Sequence, residues 1–116
     1  MLIHDDAWAF AHALSEDTES SRRCKTNRLY YAAFHHARVV VKIKYPDRHH
    51  KAFWGALNTS TDGWHRRLAG VGRLLLDLRE KADYHVSDDF THKDAMQANS
   101  YARQIEKYLL VLHSTK

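Results

Sequence analysis

Between Trp64 and Ala82 the apolar side chains recur at steps of four and three: Trp64, Leu68, Val71, Leu75, Leu78 and Ala82. That spacing places them on one stripe of an amphipathic α-helix of at least about five turns. A stripe of that length needs a surface to cover it. No segment of any length alternates apolar and polar residues with the period of a strand, and no internal repeat is visible, so the covering surface is expected to be helical as well.

Further patterns supply it. Ala95, Ala98, Ala102, Ile105, Leu109 and Leu112 form a second seam of the kind that packs in bundles. Tyr30, Phe34, Ala37 and Val41 mark a third, within a helix predicted over residues 20–44, which Pro46 forbids from continuing. The polar run SEDTESS, residues 15–21, reads as the link before it, with one of its last hydroxyls as N-cap. Ile3, Ala7, Phe10 and Leu14 predict a short first helix with Asp5 and Asp6 in its opening turn, where the helix dipole favours acids. After a turn at Pro46-Asp47, residues 52–57 read as a short helix, and Asp62 as the acidic cap of the helix that carries the long stripe. Gly70 and Gly72 lie inside that helix at a cost of about 1 kcal/mol each relative to alanine. Close approach to another backbone, within the domain or across a dimer, would account for them. Thr91 and Asp94 stand at capping-box spacing ahead of the last helix, with Asp in place of the usual Glu. The expected fold is all-α, an antiparallel four-helix bundle with one additional short helix, and 116 residues leave room for a single domain over 1–116 with one modest core.

Charge is distributed unevenly. Residues 22–51 hold nine Lys or Arg against one acid, Asp47, a balance of +8, while the other nine bases and thirteen acids leave the rest of the chain at −4. Such a field suits a polyanion such as RNA or an acidic protein, although a solvated basic helix would look the same. Arg48, His49, His50 and Lys51 make a compact basic corner within it. The lone Cys24 rules out an internal disulfide and any cysteine-rich zinc site. No stretch has the length of a membrane span and the first residues lack the order of a signal peptide, so no membrane partner and a cytoplasmic location are expected. The ten histidines include no HExxH and no pair at i, i+4, and neither a Gly-rich phosphate loop nor a GxSxG motif occurs, so no metal and no cofactor is expected.

The chemistry that remains gathers at two places. Tyr31, His35, Arg38 and Lys42 line one face of the second helix, with Asn27 and Arg28 ahead of them, and tyrosine together with arginine on one face can hold a nucleotide by stacking and phosphate pairing. Helix-spaced tyrosines such as Tyr30 and Tyr31 more often belong to a core or an interface. At the end of the long stripe Arg79, Asp83, Tyr84 and His85 come together. The bland reading of these four is a surface i, i+4 ion pair between Arg79 and Asp83, worth about 0.3–0.5 kcal/mol, and a histidine favoured by the C-terminal helix dipole.

Arg79, five residues and then His85 fits the R-x(4–6)-H signature of HEPN domains, the small helical domains of prokaryotic toxins, defence systems and several eukaryotic ribonucleases. NRLYYAAFHHA, residues 27–37, resembles the R-x-x-YYA-x-F-H-x-A helix of one prokaryotic branch of that family, and the ADYH ending, residues 82–85, is similar too. The two segments stand in the family's order, about fifty residues apart. Here Glu80 follows the arginine and five residues intervene, whereas the best-known toxin form has four and often Asn next to the arginine.

The resemblance implies a homodimeric, metal-independent endoribonuclease of toxin or defence type acting on single-stranded RNA. Arg79 and His85 of two protomers would face a common cleft, Arg79 meeting the charge on the phosphate and His85 moving protons, since histidine titrates near pH 6.5. Asp83 or Tyr84 would orient the imidazole, and Asn27 and Arg28 would grip the RNA, with Tyr31, His35 and Arg38 beside them. The alternative is a non-catalytic HEPN module for dimerisation or for nucleotide and RNA binding, partnered with a nucleotidyltransferase-like antitoxin. In such pairs a tyrosine two residues after the histidine accepts a nucleotide. Here that position is Ser87, and Tyr84 is the tyrosine nearby.

Overall fold

The computed structural model describes residues 3–42 and 50–114. Every regular element among them is an α-helix: α1 (Ile3–Ala13), α2 (Glu19–Val41), α3 (His50–Asn58), α4 (Gly63–Tyr84) and α5 (His92–Ser114). The long helices α2, α4 and α5 pack on one another pairwise, α1 lies on α2, and α3 lies on α4. None of the described helices is long and apolar enough to cross a membrane.

Local chemistry explains where these helices begin. Thr18 caps α2 with its hydroxyl on the Ser21 N–H at 3.0 Å while Ser21 returns a bond to the Thr18 N–H, a capping box built from two hydroxyls. Asp62 accepts from the Trp64 N–H at 2.8 Å and opens α4. Thr91 and Asp94 bond reciprocally at 3.1 and 3.0 Å to open α5. The end of α2 differs from expectation: Lys42 takes the left-handed conformation (φ 60°) and returns its N–H to the Arg38 carbonyl, stopping the helix at Val41. A residue in that conformation ends a helix without help from a proline. Lys44, Pro46, Asp47, Arg48 and His49, on which the expected turn and part of the basic corner fall, lie outside the described residues.

The core is formed by the inward faces of all five helices. Ala95, Ala98, Ala102, Ile105, Leu109 and Leu112 of α5 are all buried, as are Tyr30, Phe34, Ala37 and Val41 of α2. In α4, Leu68, Leu75 and Ala82 are buried while Trp64, Val71 and Leu78 are partly so, because the stripe is shared between α5 on one side and α2 and α3 on the other. The expected face of α1 needs correction. Phe10 is 59% exposed and the helix is inserted through Trp8 and Ala11 instead. Trp8 prevails because its indole N–H finds an acceptor in His36 Nδ1 at 3.0 Å and its ring stacks on His12, which Glu106 of α5 holds at 2.6 Å.

Gly72 does mark a close approach, but to a side chain rather than to a backbone: a methyl group there would overlap the Trp54 ring of α3. Gly70 has open space at the same position.

Three basic residues near the start of α2 are engaged inside the molecule. Arg23 Nη1 donates to the carbonyls of Lys81, Ala82 and His85 at 3.0–3.3 Å, its Nη2 donates to the Asp88 carbonyl, and its guanidinium lies over the buried Phe90 ring. Arg22 donates to the carbonyls of Phe90 and Glu16. Lys25, 8% exposed, pairs with Glu16 at 2.7 Å, and Asn99 of α5 donates to the same carboxylate. Part of the basic charge in residues 22–51 therefore fastens the loop after α4 and the loop before α2 to the bundle.

Candidate functional site

About six turns each of α2 and α4 run side by side, which brings the two segments singled out in the sequence into contact. Asp83 lies one turn beyond Arg79 on α4 and its Oδ2 sits 2.9 Å from Arg79 Nε. Asn27 of α2 donates to that same oxygen at 2.7 Å. Arg79 Nη2 donates to the Tyr31 hydroxyl at 2.9 Å and, at 3.4 Å, to the Tyr84 hydroxyl. The guanidinium carbon also lies 5.1 and 5.3 Å from the centroids of those two rings, within cation–π range.

The guanidinium is thus fixed on several sides and its side chain is only 11% exposed. Burial works against its charge, but the oxygens of Tyr31, Asp83 and Tyr84 outweigh that effect and leave its pKa above the ordinary value. Nε–H is close to Asp83 without being aimed at it and has no hydrogen-bond acceptor. Nη1 donates to no described residue.

Arg79 stands in the wall of an open cleft of about 550 Å³ between α2, α3 and α4. Tyr31, Leu76, Glu80 and Tyr84 line it together with His50, Lys51 and Ala52 from the first turn of α3. Tyr84 is 66% exposed and presents an aromatic face at its edge. His50 packs on Phe34 with ring centroids 4.2 Å apart, and its Nδ1 is 2.8 Å from the Tyr30 hydroxyl. Trp54 Nε1 donates to that hydroxyl at 3.0 Å. Burial pushes the Tyr30 phenol pKa well up, so the hydroxyl keeps its proton.

The residues expected to act together are only partly brought together. Arg79, Asp83, Tyr84, Tyr31 and Asn27 form one connected cluster. Asn27 is turned toward Asp83, where it steadies the partner of the arginine. His85 stands apart from the cleft lining: it is the C-cap of α4, its N–H closes the helix on the Lys81 carbonyl, and its ring, 59% exposed, has Asp88 Oδ2 at 3.8 Å. His35 is exposed and stacks on Tyr31, Arg38 lies over the Phe34 ring at 5.3 Å, and Arg28 is exposed on α2.

Sequence reasoning missed His50, Lys51 and Glu80 as members of the site. His50 was legible only as one of a basic corner. The signal available was the short apolar helix behind it, since a helix that buries Phe53, Trp54 and Leu57 and packs on α4 carries its first turn toward Arg79. Among the described residues no group of three His, Cys, Asp or Glu side chains is arranged to hold a metal ion. Comparison with family models, curated proteins and solved structures finds no match.

Proposed function

We propose that this protein is a HEPN-like antiparallel four-helix bundle with one additional short helix, which binds single-stranded RNA in the Arg79 cleft and cuts it without a metal as a homodimer. The observation that carries the reading is the immobilised Arg79 at the wall of an open cleft, beside an imidazole and an exposed tyrosine. The resemblance of residues 27–37 and 79–85 to the HEPN motifs supports it, because Tyr31, Arg79, Asp83 and Tyr84 of those segments are in contact.

In this reading the substrate's 2′-hydroxyl attacks the adjacent phosphorus, the bond to the 5′-oxygen breaks, and the products are a 2′,3′-cyclic phosphate and a 5′-hydroxyl. One proton passes overall from the 2′-oxygen to the 5′-oxygen, and no water or metal enters. Arg79 stabilises the charge on the phosphate oxygens, at no cost in reorganisation because Tyr31 and Asp83 already hold it. His85 exchanges the protons. It stands six positions after Arg79, roughly 9 Å along the helix, and its exposed ring serves the cleft of a second protomer across a two-fold axis. Tyr31 and Tyr84 stack the flanking bases.

Digestion of mixed RNA in EDTA tests the proposal. Wild type is expected to leave cyclic phosphate ends, with Arg79→Ala slowed by about 100-fold or more and His85→Ala by a comparable factor. Full activity in His85→Ala would remove His85 as the proton carrier.

One observation favours a second reading, a binding module without catalysis. Arg79 already has a carboxylate at 2.9 Å, and that carboxylate is itself held by Asn27. A folded dimer that binds oligoribonucleotides and leaves them intact would decide for it. Exposed Tyr84 then becomes the residue to inspect, by mass, for a nucleotide added by a nucleotidyltransferase-like partner.

A further inference from the structure

We propose that Asn27 sets how tightly Arg79 holds a phosphate, by keeping the Asp83 carboxylate beside the guanidinium and out of line with its Nε–H. Arg79 and Asp83 are one turn apart on α4, and in an isolated helix such a pair is free to close. Here a third side chain intervenes from α2. The Asn27 amide donates to Asp83 Oδ2 at 2.7 Å, and that same oxygen is the one 2.9 Å from Arg79 Nε. Nε is buried, yet its N–H finds no acceptor, so the carboxylate lies close to the guanidinium without closing on it.

The chemistry of residue 27 fits this role. An amide offers an N–H to a carboxylate and carries no charge, so it competes for the oxygen without adding a cation that would itself draw the ligand. For the arginine the consequence is direct. A carboxylate that meets a guanidinium along one edge takes two N–H groups at once, and an incoming phosphate would then have to displace it. With Asp83 held aside, Nη2 keeps Tyr31 at 2.9 Å and Tyr84 at 3.4 Å, and Nη1 finds no acceptor among the described residues. Asn27 is thus a positioning residue that acts through Asp83: the carboxylate steadies Arg79 without taking the place of an anion in the cleft.

The inference rests on the reading that a phosphate enters the Arg79 cleft, but it concerns binding and not cutting, so the two can fail separately. The full chain is titrated with inorganic phosphate as wild type, Asn27→Ala, Asn27→Gln, Asp83→Ala and the double variant Asn27→Ala/Asp83→Ala. The Arg79 Nε–H resonance, identified by its absence from Arg79→Lys, is followed by nitrogen NMR in each. Melting checks the fold, and RNA cleavage is assayed on the same samples.

Asn27→Ala is expected to bind phosphate about three- to ten-fold more weakly than wild type, the effect of one hydrogen bond, with the Nε–H resonance moving downfield as Asp83 closes on it. Asn27→Gln, which keeps the amide, should recover part of the affinity. Asp83→Ala should bind at least as tightly as wild type, since a negative charge beside the ligand is gone. Adding Asn27→Ala to it should change the affinity by less than about two-fold, because the group through which Asn27 acts is missing. A side chain that merely supported the fold would weaken binding equally in both backgrounds.

Affinities in this pattern without RNA cleavage would uphold the role of Asn27 and sink the nuclease reading. Cleavage with equal phosphate affinity in Asn27→Ala and wild type would do the reverse. Equal affinity in those two proteins, an equal loss with and without Asp83, weaker binding by Asp83→Ala, or a wild-type Nε–H already bonded to the carboxylate overturns the inference. Should Asn27→Ala fail to fold, the wild-type resonance and the affinity of Asp83→Ala decide on their own.

Discussion

At the scale of single residues, the two glycines of α4 separate packing from propensity. Gly72→Ala forces a methyl into the Trp54 ring, where the indole is also tied to Tyr30, so it is expected to destabilise the fold by about 1–3 kcal/mol. Gly70→Ala meets open space and removes only backbone freedom, so it is expected to stabilise by up to about 1 kcal/mol. Thermal melts of the two variants side by side check this: equal effects would mean that the Trp54 contact does not govern Gly72. Glu80 offers a test of which sign of charge the cleft receives. Removing its charge in Glu80→Gln should raise the affinity for inorganic phosphate several-fold, whereas a cationic ligand would bind more weakly to that variant. Neither outcome depends on catalysis.

At the scale of helices, the loop after α4 is held by one side chain more than by its own turns. Arg23 meets three carbonyls at the end of α4 and covers Phe90, so Arg23→Ala removes a shared donor from partly buried carbonyls and uncovers that ring. Loss of about 1–3 kcal/mol is expected, and amide exchange should rise first in residues 85–90. Exchange spread evenly through the bundle would show that Arg23 does not anchor that loop in particular.

The start of α5 carries a pH dependence. Burial pushes the Asp94 carboxyl up, but the Thr91 N–H and the Lys81 ammonium outweigh it and hold its pKa below the ordinary 3.8. At Glu16 the Lys25 hydrogen bond is the largest influence, and with Asn99 it overcomes burial to bring that pKa below 4.5. In both cases the unfolded chain binds protons more readily than the folded one. The stabilisation is present above these ordinary values and is lost as pH falls through the lower folded ones. Asp94→Asn should therefore flatten the fall of melting temperature with pH between roughly pH 5 and 2. An unchanged slope would show that the Thr91 and Lys81 contacts are not maintained in solution.

For the molecule as a whole, the proposed mechanism stands or falls with assembly. His85 lies outside the cleft that holds Arg79, so the shared-cleft reading requires a second protomer. Sedimentation should give a dimer, and equal mixing of Arg79→Ala with His85→Ala protein should restore part of the RNA cleavage that each lacks alone, because one protomer then supplies the arginine and the other the histidine. A fully active monomer, or mixed dimers without activity, would count against it.

The helices and most of their buried faces could be read from the chain alone. Periodicity and caps are local: the α5 seam, the Thr91–Asp94 box, the Asp62 cap and the i, i+4 pairing of Arg79 with Asp83 are all set within one or two turns of backbone. Phe10 shows the limit even there. Two faces of α1 carry aromatic rings, and the choice between them was made by partners on other helices, His36 on α2 and Glu106, through His12, on α5. The site belongs to the same class. That Asn27 steadies Asp83, that Arg23 closes α4 instead of meeting an outside anion, and that His50 stands in the cleft of Arg79 all depend on which stripe meets which. A repeat of three and four residues says that a face will be covered and carries no information about the residues that cover it. Only the packing of α2, α3 and α4 decided that an arginine and an imidazole should share one cleft.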